Sequence, residues 1–203
     1  MKTTLNAIRK HSPCADGWEK LLTYLGKTEA DDEPLSLLTI LDSNGVDDAL
    51  WCLRAVEGRD REIRLFAVWC ARQAQHLTGD HRIVDALDVV ERYANGEATA
   101  AELAAAGDTA RAAARAAVRA ARAAAYDVAG TAAACAAAWD AEAAARAAAC
   151  AAAGDAACAV AAAAWAAACA AAGATRAAAV WDVAWDDARA KQEVELRRIC
   201  GEG

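Results

Sequence analysis

An all-α fold is what this sequence predicts, and three observations carry that reading. Alanine fills 54 of the 93 positions from Ala98 to Ala190, and it is the strongest helix former because its side chain loses no rotamer freedom. In the first half, apolar residues recur three and four positions apart between marked stops, which is the spacing of one helix face. No stretch alternates apolar and polar residues with the β-branched content of a strand, so essentially no sheet is expected. The architecture is a multi-helix bundle or helical array, with short N-terminal helices and longer Ala-rich C-terminal ones.

Each element has its own signal. Ser12-Pro13 offers an N-cap followed by proline at the first helical position; Trp18, Leu21, Leu22 and Leu25 supply an apolar face, and Gly26 a stop. Asp32-Glu33-Pro34 opens a second segment through Leu41, closed by Ser43-Asn44-Gly45. Val46, Leu50 and Leu53 follow at helical spacing, ending near Gly58. Arg59 to Leu77 is the strongest single helix: Ile63, Phe66, Cys70 and Leu77 share one face, and Arg61, Arg64, Arg72 and Gln75 the other. Gly79-Asp80 resets the chain for a helix over Ile83, Leu87 and Val90, which Asn95-Gly96 ends. Thr99 with Glu102 then matches a capping box.

Beyond this point stops are sparse. Gly107-Asp108, Gly130-Thr131, Gly154-Asp155 and Gly173-Ala174-Thr175 each place a glycine beside a helix-starting side chain. They predict four helices of about 20 residues, about 30 Å each. The competing reading leaves some of these glycines in mid-helix, allowing a neighbour to approach closely at about 1 kcal/mol each. Cys135, Cys150, Trp165 and Val180 recur every 15 residues, and Cys158 and Cys169 are 11 apart, spacings that keep a stripe near one helical face. Tight packing along alanine seams follows, with tryptophan and cysteine filling gaps. An ice-binding array is disfavoured, because Thr109, Thr131 and Thr175 are irregularly spaced. Two regions result, 1–106 and an Ala-rich 107–203, packed as one unit.

Charge and cysteine narrow the function classes. The net charge is −7, which argues against broad adhesion to nucleic acid or an anionic membrane. Residues 1–107 carry 12 Lys/Arg against 18 Asp/Glu, and residues 108–203 carry 10 against 11, so any anion site is local. The polar start Met1-Lys2-Thr3-Thr4 is no signal-peptide core, and the eight cysteines read as reduced thiols in a cytoplasmic protein. Residues 156–175 lack charge over a bilayer-spanning length but are mostly alanine, which favours a water-soluble helix. No CxxC pair or zinc-finger histidine pattern occurs, so no metal or other cofactor is expected.

Three residue sets are candidates for binding. Arg111, Arg115, Arg119 and Arg122, with Tyr126, fall within about 80° of arc on a helix. Their mutual repulsion is relieved by an anion, whether a phosphate held by guanidinium forks, an acidic partner, or Asp182, Asp186 or Asp187 of the same chain; the alternative is a face solvated by water. Trp181, Trp185 and Arg189 form a row at i, i+4, i+8, a pattern of helix cores and also of protein interfaces. Trp51, Arg54, Arg64, Trp69 and Arg72 are the N-terminal set, because arginine beside tryptophan stacks on planar or phosphorylated ligands. No GxSxG, HExxH, P-loop or dinucleotide-binding glycine motif occurs, so a non-enzymatic role is expected.

The segments SPCADGWEKLL (Ser12–Leu22), ADDEPLSLLTILDSNGVDDALWCLRAVEG (Ala30–Gly58), REIRLFAVWCARQAQHL (Arg61–Leu77) and ERYANGEATAAEL (Glu91–Leu103) resemble, in that order, a family of phage and bacterial immunity proteins. The likeness spans roughly the first 105 residues, and the tail by composition. Long Ala–Cys tracts stand here where the family has frequent Trp-Asp and Arg-Asp pairs. The resemblance implies an all-helical, non-secreted accessory protein acting in conflict between phage and host or between bacteria. It implies no catalytic residues. The leading expectation is a binder that neutralises a toxin or defence component. Sequestration of a nucleotide-like signal in a helical pocket, and an Ala-rich scaffold that forms a homo-oligomer, are the alternatives.

Overall fold

Side-chain caps start four of the helices in the computed structural model, which describes residues 1–77, 80–126 and 178–201. Its helices are α1 (Leu5–Lys10), α2 (Ala15–Leu25), α3 (Leu37–Asn44), α4 (Val46–Cys52), α5 (Asp60–Ala74), α6 (His81–Ala94), α7 (Ala100–Tyr126) and α8 (Ala178–Gly201). Thr4 caps α1 by accepting from the Ala7 N–H, Ser36 caps α3 from Leu38, and Asp80 caps α6 from Arg82. The capping box closes as its spacing requires: the Glu102 N–H donates to Thr99 Oγ1 at 3.2 Å and the Thr99 N–H to Glu102 Oε2 at 2.7 Å. Gly26 ends α2 at φ +65°, a left-handed conformation that glycine adopts without a Cβ penalty. Two short strands, β1 (Lys2–Thr3) and β2 (Leu35–Ser36), pair antiparallel; apart from them the all-α expectation holds among the described residues.

Four local expectations are corrected. Helix α2 begins at Ala15 with Cys14 as its N-cap, because Ser12 takes a positive φ of 56° and leaves Pro13 in the connection. Pro34 opens no helix, since Leu35-Ser36 extends to pair with β1 before Ser36 caps α3. Arg64 does not sit on an exposed polar face: it is 5 % exposed, with its guanidinium 5.2 Å from the Tyr93 ring centroid. Gly107-Asp108 is no stop, for α7 runs through it and the division at 106/107 falls inside one helix. The reason is burial. Leu103, Ala106, Gly107, Ala110, Ala113 and Ala114 are all buried, a stripe at helical spacing that outweighs one interior glycine. The stops expected at Gly130, Gly154 and Gly173 lie outside the described residues.

The core draws on both ends of the chain. Leu5 and Ile8 of α1, Leu37 and Ile40 of α3, Leu50 and Leu53, Ile63 and Phe66 of α5 and Leu87 of α6 form one buried cluster with Leu196 and Cys200 of α8. Helix α1 carries no signal that the sequence reading used, as its six residues are too few to show a period. Polar contacts fasten α8 to the same body: Arg197 Nη2 donates to Asp42 Oδ1 at 2.7 Å, the Met1 nitrogen donates to the Cys200 carbonyl at 2.9 Å, and Arg189 contacts Asp47. No helix among the described residues is long and apolar enough to cross a membrane.

Candidate functional site: a mixed-charge cleft between three helices

The three candidate sets meet different fates. On α7, Arg111, Arg115 and Arg119 are exposed, and Arg111 Nη2 donates to Asp108 Oδ1 of its own helix at 2.8 Å. The side chains of Arg122, Tyr126 and Trp181 lie outside the described residues. Asp187 pairs with Lys191 on its own helix at 2.7 Å. Trp185 is half-buried with the Arg189 guanidinium 5.9 Å from its ring centroid, and Arg189 is itself buried where α8 meets α4. That part of the tryptophan row therefore packs α8 against the body.

The N-terminal set separates into three places. Arg54 lies 4.3 Å over the Trp51 ring, held by its Nε–H to the Trp51 carbonyl at 2.8 Å. Arg64 is buried against Tyr93. Trp69 and Arg72 come together in a cleft of about 500 Å³ formed by α5, α6 and α8 with Arg59 at its edge. Helix α5 supplies Arg61, Leu65, Trp69 and Arg72 to it, positions that recur along one helix face. Helix α6 adds Glu91, and α8 adds Glu195, Arg198 and Ile199. Phe66 stacks on Trp69 with ring centroids 5.8 Å apart and planes 9° apart, fixing the indole against the core.

Arginine and carboxylate alternate around this floor. Arg72 Nη2 donates to Asp88 Oδ1 at 2.8 Å and to Glu91 Oε2 at 2.6 Å. Partial burial opposes its charge, but the two carboxylates outweigh that and raise its pKa. Arg59 pairs with Glu62 at 3.0 Å and Arg198 with Glu195 at 2.7 Å. The Glu62 carboxyl is held below its ordinary range, first by its own backbone N–H and then by Arg59 and Arg61. Arg61 differs from the other three, since its Nη2 donates at 2.8 Å to the neutral side-chain oxygen of Asn95. Guanidiniums fixed by carboxylates hold their remaining N–H groups in defined directions, so the cleft presents oriented donors and acceptors.

Arg59, Arg61, Glu62, Glu91, Glu195 and Arg198 line the cleft and stand in none of the three candidate sets. Glu195 and Arg198 stand three apart on α8, an ordinary surface pair until α8 docks beside α5. Among the described residues no group of three or more His, Cys, Asp or Glu is placed to hold a metal ion. No protein family, curated protein or solved structure matches this chain.

Proposed function

We propose that the chain is a non-enzymatic binding protein of the immunity or anti-defence kind, which neutralises a toxin or defence component by engaging it at the α5/α6/α8 cleft. The observation that supports this reading is the balanced lining: Arg59, Arg61, Arg72 and Arg198 face Glu62, Glu91, Glu195 and the Asp88 carboxylate around Trp69. A polyphosphate site needs an excess of positive charge, whereas alternating charges around an aromatic anchor match the mixed surface of a protein partner. Tryptophan and arginine are also the side chains that dominate binding energy in protein interfaces. The acidic N-terminal half would steer a basic partner toward the same body. This role agrees with the resemblance of Ser12–Leu103 to immunity proteins.

A second reading, capture of a nucleotide-like signal, is favoured by Arg61, which hydrogen-bonds the neutral Asn95 rather than a carboxylate and lines the same cleft as Trp69. Native mass spectrometry of protein taken directly from cells separates the two. Binding of a protein through the cleft requires a retained partner that Trp69→Ala releases while Val194→Ala, on the exposed side of α8, does not. A nucleotide adduct and a nucleotide-dependent rise in melting temperature, both lost in Arg61→Glu, would favour the second reading. A complex indifferent to Trp69→Ala and Arg61→Glu would remove the cleft from both.

A further inference from the structure

A second cavity, of about 130 Å³, lies between α2, α3 and α4 and shares no residue with the charged cleft. Its volume approaches that of a cavity of about 150 Å³ known to hold one benzene molecule. The indoles of Trp18 and Trp51 and the side chains of Leu21 and Ile40 form much of its wall. Among the described residues one carboxylate lines it, that of Asp48, and no cationic side chain does.

The Asp48 carboxylate is positioned rather than incidental. Asn44 Nδ2 donates to Asp48 Oδ2 at 2.7 Å and to the Gly17 carbonyl at 2.8 Å, tying the acid to the first turn of α2. A Cβ on Gly17 would stand 2.8 Å from Asp48 Oδ2, so the lack of a side chain there is what admits the carboxylate. Asp48 Oδ1 has no hydrogen bond among the described residues and keeps its acceptor capacity. The buried Cys52 thiol on the same wall is pushed up to about 12, by burial first and by the Asp48 charge second. It stays protonated at neutral pH, so the Asp48 carboxylate is the one charge among the described lining residues, with the Arg54 guanidinium outside the lining over the Trp51 ring.

We propose that this cavity is a binding site for a small organic ammonium, its cationic head on Asp48 and its ring-sized apolar body between Trp18 and Trp51. The head gains a charge-assisted hydrogen bond to Oδ1 and attraction to the Trp18 indole, the Trp51 ring already carrying the Arg54 guanidinium on one face. The body replaces solvent along the apolar wall. A carboxylate or phosphate ligand would meet Asp48 with like charge. The site is independent of the α5/α6/α8 cleft, so its failure leaves the reading of that cleft untouched.

The test titrates the full chain with benzylamine, which is cationic at neutral pH, and with benzyl alcohol and benzoate as neutral and anionic counterparts. Nuclear magnetic resonance follows the Trp18 and Trp51 indole N–H signals, assigned through Trp18→Phe and Trp51→Phe. Benzylammonium should shift both signals to saturation, benzyl alcohol should bind about tenfold more weakly for want of the charged hydrogen bond, and benzoate should not bind. Asp48→Asn, with its fold checked by circular dichroism, should bring benzylamine down to the affinity of the alcohol. If that variant does not fold, the ranking of the three probes on the native chain decides alone. Equal binding of all three, shifts at neither indole, or an undiminished preference for the amine in Asp48→Asn would overturn the proposal.

Discussion

Leu196→Ala tests whether α8 is part of the folded body or an appendage to it. Leu196 is fully buried in the cluster that holds Phe66 and Leu87, whereas Val194, two positions away on the same helix, is 69 % exposed. Truncating Leu196 removes three carbons at about 0.8 kcal/mol each and adds the penalty of an unfilled cavity, about 3 kcal/mol in total. Val194→Ala removes carbons already in water and exchanges valine for a better helix former, so its effect stays within about 0.5 kcal/mol of zero. Urea titration of both variants reads the difference as a fall in midpoint at unchanged slope for Leu196→Ala alone. A loss of about 3 kcal/mol is a large part of a typical stability of 5–15 kcal/mol, so the shift is not subtle. Equal midpoints for the two variants would refute the docking of α8 described here.

Arg189→Ala removes a buried guanidinium together with its Nη1 hydrogen bond to Gln192 Oε1 at 2.6 Å and its contact with Asp47; the same titration should show a loss of about 2 kcal/mol. Thr99→Ala should cost about 1 kcal/mol through loss of the α7 cap, read as a lowered thermal midpoint. Glu102 is held below its ordinary value of 4.5 by the Thr99 backbone N–H and then the Thr99 hydroxyl. A depressed folded pKa stabilises above the unfolded value, so the deficit of Glu102→Gln should be complete above pH 4.5 and fade as pH falls below it. Burial raises the Cys52, Cys70 and Cys200 thiols, while Cys14 is exposed. Brief alkylation at neutral pH followed by peptide mapping should therefore label Cys14 well ahead of those three, and early labelling of Cys52 or Cys70 would contradict their burial.

What the sequence made legible is the chemistry that acts within a few residues. Gly26, Asp80 and the Thr99–Glu102 pair act on adjacent backbone, and each stands where its local signal places it. Long-range packing is where the reading fails. Arg64 belongs by spacing to the polar side of α5, yet Tyr93, 29 positions later, covers it. Gly107 carries the stop signal of a helix end, but buried alanines before and after it continue the helix. At the cleft, Trp69 and Arg72 were visible as a residue pair, while Arg198 and Glu195 enter only through the docking of a helix more than a hundred residues away.

The alanine content also misleads about where stability resides. Among the described residues the buried stripe of α7 holds one large side chain, Leu103, beside Ala106, Gly107, Ala110, Ala113 and Ala114. Each methyl withdraws little apolar area from water compared with the leucines, isoleucines and phenylalanine of the main cluster. What small side chains do provide is close approach, and α7 packs extensively along α6. Helix α6 in turn carries Asp88 and Glu91, the two carboxylates that hold Arg72 at the cleft. A bulky substitution at Ala110, fully buried on the helix that packs along α6, should therefore disturb the cleft without changing any residue that lines it.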